Sequence, residues 1–231
     1  MNRSKLQRTY MAEINLLRHY PKSTRPIEER GQRITDEHRA TARRFDGEFF
    51  DGDRLYGYGG YSYHPRFWTD TVRLFCEHYQ LVPGASVLDV GCAKGFMMYD
   101  FKLAMPDIRI RGLDISQYAK EHAEEEVKDC IDIGTASKLP YPDHSFDLVI
   151  SINTIHNLPL EECKEAIREI QRVSRKYAFI TMDAWRTERE REQLAKWNLT
   201  ALTYMSVQDW EIVFQEVGFT GDYWWFIAES E

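Results

Sequence analysis

From about residue 80 onward, short apolar runs alternate with stretches that repeat apolar residues at helical spacing. Residues 86–90 (SVLDV) and 146–152 (FDLVISI) are near-continuous apolar runs of strand length, 108–114 and 177–183 read as further strands, and 130–134 as a short candidate. Between them, 95–105, 116–128 and 160–174 read as helices, the first stopped by Pro106 and the last striped by Cys163, Ile167 and Ile170. A helix over 205–219, with Ser206 as N-cap and Gly218 near its end, precedes a last strand in DYWWFIAE. Apolar strands alternating with helices predict an α/β, doubly wound, mostly parallel sheet covered on both faces. Ligands of such sheets bind beyond the carboxyl ends of the strands, so the residues just after each strand are where chemistry is expected.

The first third of the chain is patterned differently. Leu6, Tyr10, Ile14 and Leu17 recur near helical spacing and predict a short amphipathic helix, ended by Pro21 and Pro26. A polar, Arg-rich helix follows over roughly 26–45. Residues 45–68, rich in glycine and aromatics, read as irregular, and Trp68, Val72, Phe75 and Tyr79 as the buried stripe of a helix. Residues 1–45 hold eleven Lys/Arg against five Asp/Glu, which leaves the rest thirteen negative within an overall charge of −7. That asymmetry divides the chain into an N-terminal helical and aromatic cap, 1–66, and a main domain, 67–231.

Composition narrows the function classes. With 231 residues, 43% of them hydrophobic, the chain can bury a core, and its net negative charge argues against nucleic acid or an anionic membrane as partner. No apolar run is long enough to span a bilayer, and the first residues lack the apolar stretch of a secretory signal. Four scattered cysteines with no CxxC suit a reducing compartment, so a cytoplasmic location is expected.

The turn after the first strand of the main domain, VLDVGCAKG, carries Asp89, Gly91 and Gly95, but Ala93 and Phe96 break the dinucleotide fingerprint and no P-loop is present. The next strand ends in GLDIS, placing Asp114 25 residues after Asp89, where a carboxylate can accept both hydroxyls of a ribose. A nucleoside without phosphate machinery is therefore expected, and Asp89 suits a cationic group. With GTASKLPYPDHSFDLVISINTIHNLP (134–159), these segments resemble the class I S-adenosylmethionine-dependent methyltransferases over about residues 80–183. The resemblance implies a Rossmann-like methyltransferase fold and S-adenosyl-L-methionine as cofactor. By it, Asp89, Gly91, Ala93 and Gly95 line the methionine part, Asp114 holds the ribose hydroxyls, and Ile115 lies against the adenine. Ala136 and Ser137 stand at the adenine edge, and Asn153 beneath the methionine moiety.

This sequence departs from the family pattern at two positions. Ala93 replaces the usual middle glycine and fits if its backbone angle is ordinary; Thr135 replaces the usual Asp, leaving the adenine amino group to a backbone group or Ser137. The family also has two strands after the last helix, so either one is missing or residues 199–205 supply it.

Methyl transfer needs mainly an aligned nucleophile shielded from water, with a base only for a protonated acceptor. His156, just past the fourth strand, is the candidate base or acceptor-orienting group, and Asp183 at the end of the fifth is expected to face the acceptor. Tyr56, Tyr58, Tyr61 and Tyr63, interleaved with glycines, suit a lid, with Arg66 able to pair with the cofactor carboxylate or an acidic acceptor. The connection 184–204 is a candidate insertion over the acceptor site. The expected activity is methylation of O or N in a small-molecule or carbohydrate-like metabolite, with no metal. The alternatives are a cofactor-binding, non-methylating enzyme or regulator of the same fold and, with less support, a nucleic-acid methyltransferase, whose (N/D)PP(Y/F) signature is replaced here by NTIHNL.

Overall fold

A computed structural model describes residues 11–21 and 26–228. The chain enters with a two-residue strand, β1 (Ala12–Glu13), then α1 (Ile27–Arg33), α2 (Asp36–Ala42), α3 (Gly47–Asp51) and α4 (Pro65–His78). The main domain runs β2 (Ser86–Val90), α5 (Phe96–Ala104), β3 (Arg109–Asp114), α6 (Gln117–Glu121), α7 (Glu125–Lys128), β4 (Ile131–Ile133) and β5 (Phe146–Ile152). After a 3-10 turn at Ile155–Asn157 come α8 (Leu160–Val173), β6 (Ser174–Trp185), α9 (Glu188–Trp197), β7 (Met205–Ser206), α10 (Val207–Val217) and β8 (Asp222–Phe226).

The sheet order is β1-β8-β6-β5-β2-β3-β4, with β7 paired to the end of β6. Each of its strand pairs is parallel. Every residue of β2 is buried, because successive side chains enter two different cores. Leu88 and Val90 join a cluster with Ile167 of α8 and Trp210 and Phe214 of α10, while Val87 joins Phe75 of α4 and Met98 and Phe101 of α5 on the opposite face. The winding reverses between β2 and β5, which places the switch point at the ends of those two neighbouring strands.

Several expectations need correction. The predicted first helix falls partly outside the described residues, with Leu6 and Tyr10; where described, the segment is β1, paired with β8 and followed by turns that bury Leu16. Pairing with the open edge of β8 outweighs a local helical period. β1 therefore takes the sheet position beyond β8, and the 199–205 stretch contributes only β7 beside β6. The Arg-rich helix is two helices, because Ile34 is extended and the Thr35 side chain caps α2 by accepting the His38 amide. The irregular segment contains α3, capped by Asp46. The helix over 116–128 is broken, the Glu124 amide turning to the Lys94 carbonyl at 3.2 Å. Among the described residues no helix is long and apolar enough to cross a membrane.

Candidate active site

The site grows from the turn after β2. The amides of Gly91 and Cys92 both donate to the Leu113 carbonyl, at 2.7 and 3.2 Å, which draws this turn against the end of β3. Gly91 has φ +83°, and a Cβ there would lie 2.2 Å from Thr154 Cγ2, so only glycine lets the end of β2 pass beneath the loop after β5. The expectation of an ordinary angle at Ala93 is not met: its φ is +49°, in the left-handed region. The strain is held by the Ala93 amide, which donates to Asp114 Oδ2 at 2.8 Å. Ala93→Gly is expected to stabilise the protein by about 1 kcal/mol, read as a rise in the thermal unfolding midpoint; no change would show that the angle carries no strain.

Two carboxylates meet at this turn. Asp114 is buried and accepts the Ser116 amide at Oδ1, 2.8 Å away, as well as that of Ala93. Burial outweighs these hydrogen bonds and raises its pKa. Asp89 is wholly enclosed, and burial followed by the charge of Asp114 pushes it up to about 8. Two carboxyl groups that resist ionising together in a low-dielectric corner favour a cationic or hydroxyl-bearing ligand, which would stabilise their charged forms, and oppose a phosphate. Beside them Ile115 is 61% exposed, an apolar surface at the end of β3. Ala136 is buried, and the Ser137 hydroxyl pairs with that of Thr135 at 3.0 Å. Asn153, past the end of β5, is exposed in the left-handed region (φ +52°), and its Oδ1 accepts the Thr181 hydroxyl at 2.8 Å.

A second polar group lies at the end of β6. His156 and Asp183 are both buried, with His156 Nε2 3.7 Å from Asp183 Oδ1. The Asp183 amide donates to His156 Nδ1 at 3.3 Å, so the ring proton belongs on Nε2, facing the carboxylate. Burial lowers the imidazole pKa against the opposing charge of Asp183, keeping the ring neutral at pH 7. The Tyr58 hydroxyl accepts the Leu199 amide at 2.8 Å, and burial, then the Asp183 charge, pushes it up to about 12.

The four cap tyrosines do not act as one surface. Tyr56 packs on His38, Tyr58 on Trp197, and Tyr63 donates to Asp100 at 3.1 Å, while Tyr61 is 38% exposed. Arg66 is exposed in the first turn of α4, over the ring of Phe67. Helix α9 fills much of the 184–204 connection, and its Leu194 and Trp197 pack with Ile27 of α1.

Residues 88–182 match the family model described as a methyltransferase domain. That segment begins in β2 and ends in β6, so it spans the two-carboxylate turn and the switch point. It is a class I S-adenosylmethionine-dependent methyltransferase domain. Among similar proteins, phosphoethanolamine N-methyltransferase 3 of Arabidopsis thaliana is 36% identical over 101 residues, covering 37% of this chain and 18% of its own length. The 27-O-demethylrifamycin SV methyltransferase of Amycolatopsis mediterranei is 30% identical over 134 residues, covering 50% and 48%. This chain thus spans half or less of the length of either relative. The crystal structure of the [4+2]-cyclase SpnF superimposes with a TM-score of 0.54 at 22% identity, covering 74% of this chain and 61% of that one, a likeness of fold.

The residues present fit the methyltransferase cofactor. The buried, charge-crowded Asp89 is suited to a cationic partner, and Asp114 retains lone pairs for hydroxyls after accepting two amides. Three residues outside the sequence-based candidates also shape the site. Lys94 is only 5% exposed and reaches the cap, where it meets Asp51. Arg30 is buried between the rings of Trp197 and Tyr58, 4.7 and 5.3 Å from their centroids, and donates to the carbonyls of Arg54 and Gly57. The one available signal was the place of Lys94 inside the glycine turn; nothing local marks a buried cation that bonds residues far away in sequence.

Proposed function

We propose that the chain transfers a methyl group from S-adenosylmethionine to an oxygen or nitrogen of a small-molecule or carbohydrate-like metabolite. The observation that carries this reading is the pair Asp89 and Asp114, enclosed together at the carboxyl ends of β2 and β3, beside the switch point, with the pKa of both raised. Two relatives of the domain are named for nitrogen and oxygen methylation of small molecules, which supports the acceptor class.

When bound, the cofactor supplies an electrophilic methyl on a positively charged sulfur. Asp89, Gly91, Ala93 and Gly95 are assigned to its methionine part, with Asn153 beneath. Asp114 is assigned to the ribose hydroxyls, and Ile115, Ala136 and Ser137 to the adenine. The cap before α4 and the α9 connection would exclude water, with Tyr56, Tyr58, Tyr61, Tyr63 and Arg66 as the residues nearest that task.

On the acceptor side, Asp183 is assigned as the group that takes up the acceptor proton. His156 acts through it: with Nδ1 engaged by the Asp183 amide, the neutral ring directs its Nε2 proton toward the carboxylate and orients it. His156→Ala is expected to lower turnover by about tenfold or more, while affinity for S-adenosylhomocysteine stays within about twofold. Unchanged turnover would remove His156 from the reaction.

The experiment that tests the function is incubation of the protein with methyl-labelled cofactor and a panel of small amines, alcohols and sugars. Labelled acceptor together with S-adenosylhomocysteine is the expected outcome. Cofactor binding without transfer to any acceptor would move the chain to the non-methylating class.

A further inference from the structure

Helix α3 fully buries none of its own residues, yet it is bonded to two of the segments that carry proposed cofactor residues, the turn after β2 and the segment after β3. On one side, Lys94 extends from the turn after β2 and donates to Asp51 Oδ1 at 2.5 Å and to the Tyr61 carbonyl at 2.9 Å. On the other, Tyr118 of α6 donates to Asp51 Oδ2 at 2.8 Å, and the Ser116 hydroxyl donates to the Phe45 carbonyl. Gly47 lies against the Tyr118 ring, where a Cβ would be 3.0 Å from Cε2. A single carboxylate, Asp51, thus joins the loop after β2 to the helix after β3, with Asp114 at the root of the second loop. Its pKa is lowered, because the hydrogen bonds from Lys94 and Tyr118 outweigh a burial that acts to raise it.

We infer that Lys94 and Asp51 form a latch, steadied by Tyr118, that holds the 45–61 segment across the cofactor loops and sets how long the cofactor stays bound. The inference rests on the cofactor assignment above. Lys94 and Asp51 are positioning residues: they hold the cap in place and are given no contact with the reacting atoms. The physical reason is that a buried ammonium is costly without its counter-charge, so the closed arrangement of the cap depends on this pair. Apolar packing of α3 is only partial: no residue of the helix is fully buried, and Phe49 lies half-buried against Ile34, Ala42 and Leu199. Phe50 adds one stacked contact with Tyr118, at 6.4 Å between centroids.

The test uses the full chain and the variants Asp51→Asn, Lys94→Met and Tyr118→Phe, with S-adenosylhomocysteine as probe. Two quantities are read: the dissociation rate of the probe in a chase, and backbone hydrogen exchange over 45–61 in the cofactor-free protein. Asp51→Asn and Lys94→Met are each expected to speed dissociation about tenfold, Tyr118→Phe about threefold. The double variant should be no faster than either single, because both remove the same contact. Exchange over 45–61 should rise in the same order. Lys94→Arg, which keeps the charge, should restore much of the slow dissociation. Should Lys94→Met fail to fold, Asp51→Asn and Tyr118→Phe decide, since both sit at the surface end of the network. Unchanged exchange over 45–61 in Asp51→Asn would overturn the latch, as would unchanged dissociation with intact binding. If the wild-type chain binds no S-adenosylhomocysteine, the cofactor assignment falls, and the exchange measurement still decides whether the pair holds the cap.

Discussion

Replacing Asp114 by alanine is expected to weaken S-adenosylhomocysteine binding by about 100-fold, equivalent to about 2.7 kcal/mol, measured by calorimetric titration. The size follows from the double duty of the carboxylate. Its two oxygens accept the Ala93 and Ser116 amides, so it fixes the turn after β2 and the start of α6 as well as offering lone pairs to a ribose. Alanine strands both amides and loosens two of the loops that would hold the cofactor. Some loss of stability should accompany the loss of affinity, about 1–3 kcal/mol for unpaired buried donors. Asp114→Asn separates the two effects, because an amide oxygen can keep one of the backbone bonds while the negative charge is lost. An affinity within about threefold of wild type in Asp114→Ala would place the ribose elsewhere.

Asp89→Asn is expected to have opposite effects on stability and binding. Burial and the neighbouring Asp114 raise the Asp89 pKa to about 8 in the folded chain, against an ordinary value of 3.8. Below pH 4 the folded and unfolded chains both hold this proton. Between about 4 and 8 the unfolded chain releases it and the folded chain does not, so the contribution of Asp89 to stability falls as pH rises and levels off above about 8. Asparagine removes that dependence. Without cofactor, the variant should be more stable than wild type by several kcal/mol at pH 8 and indistinguishable at pH 4, read as paired denaturant titrations. Its affinity for S-adenosylmethionine should fall, because the cationic ligand loses its counter-charge. Equal stability of the two proteins at both pH values would mean that Asp89 is not a strained carboxylate.

Legibility in the sequence followed burial and locality. β2 and β5 are legible in the sequence with their observed bounds, since buried strands in a parallel sheet are apolar on both faces and stand out against polar flanks. The cap of α10 was equally plain, because Ser206 and Gly218 act on their own neighbours in the chain. The placing of Asp89, Gly91 and Asp114 about one strand-end turn is legible because such turns need particular residues at fixed spacing. Interactions across long sequence distances were not visible. β1 looks helical by its own period and becomes a strand only because β8 offers an edge. The latch joins Asp51 to Lys94, 43 residues apart, and neither residue advertises the other. The left-handed conformation of Ala93 is signalled only by the glycine usual at that position of the family pattern, since alanine itself gives no sign of the angle that the Asp114 bond imposes.

The central claim is that the two buried carboxylates at the ends of β2 and β3 form the cofactor site. A crystal structure of the chain grown with saturating S-adenosylhomocysteine tests it most directly. The expected result is ligand density at the carboxyl ends of β2 and β3, with the ribose hydroxyls on Asp114 and the methionine part at the Asp89–Gly95 turn. Density at any other position, or none at that edge of the sheet under saturating ligand, would contradict it.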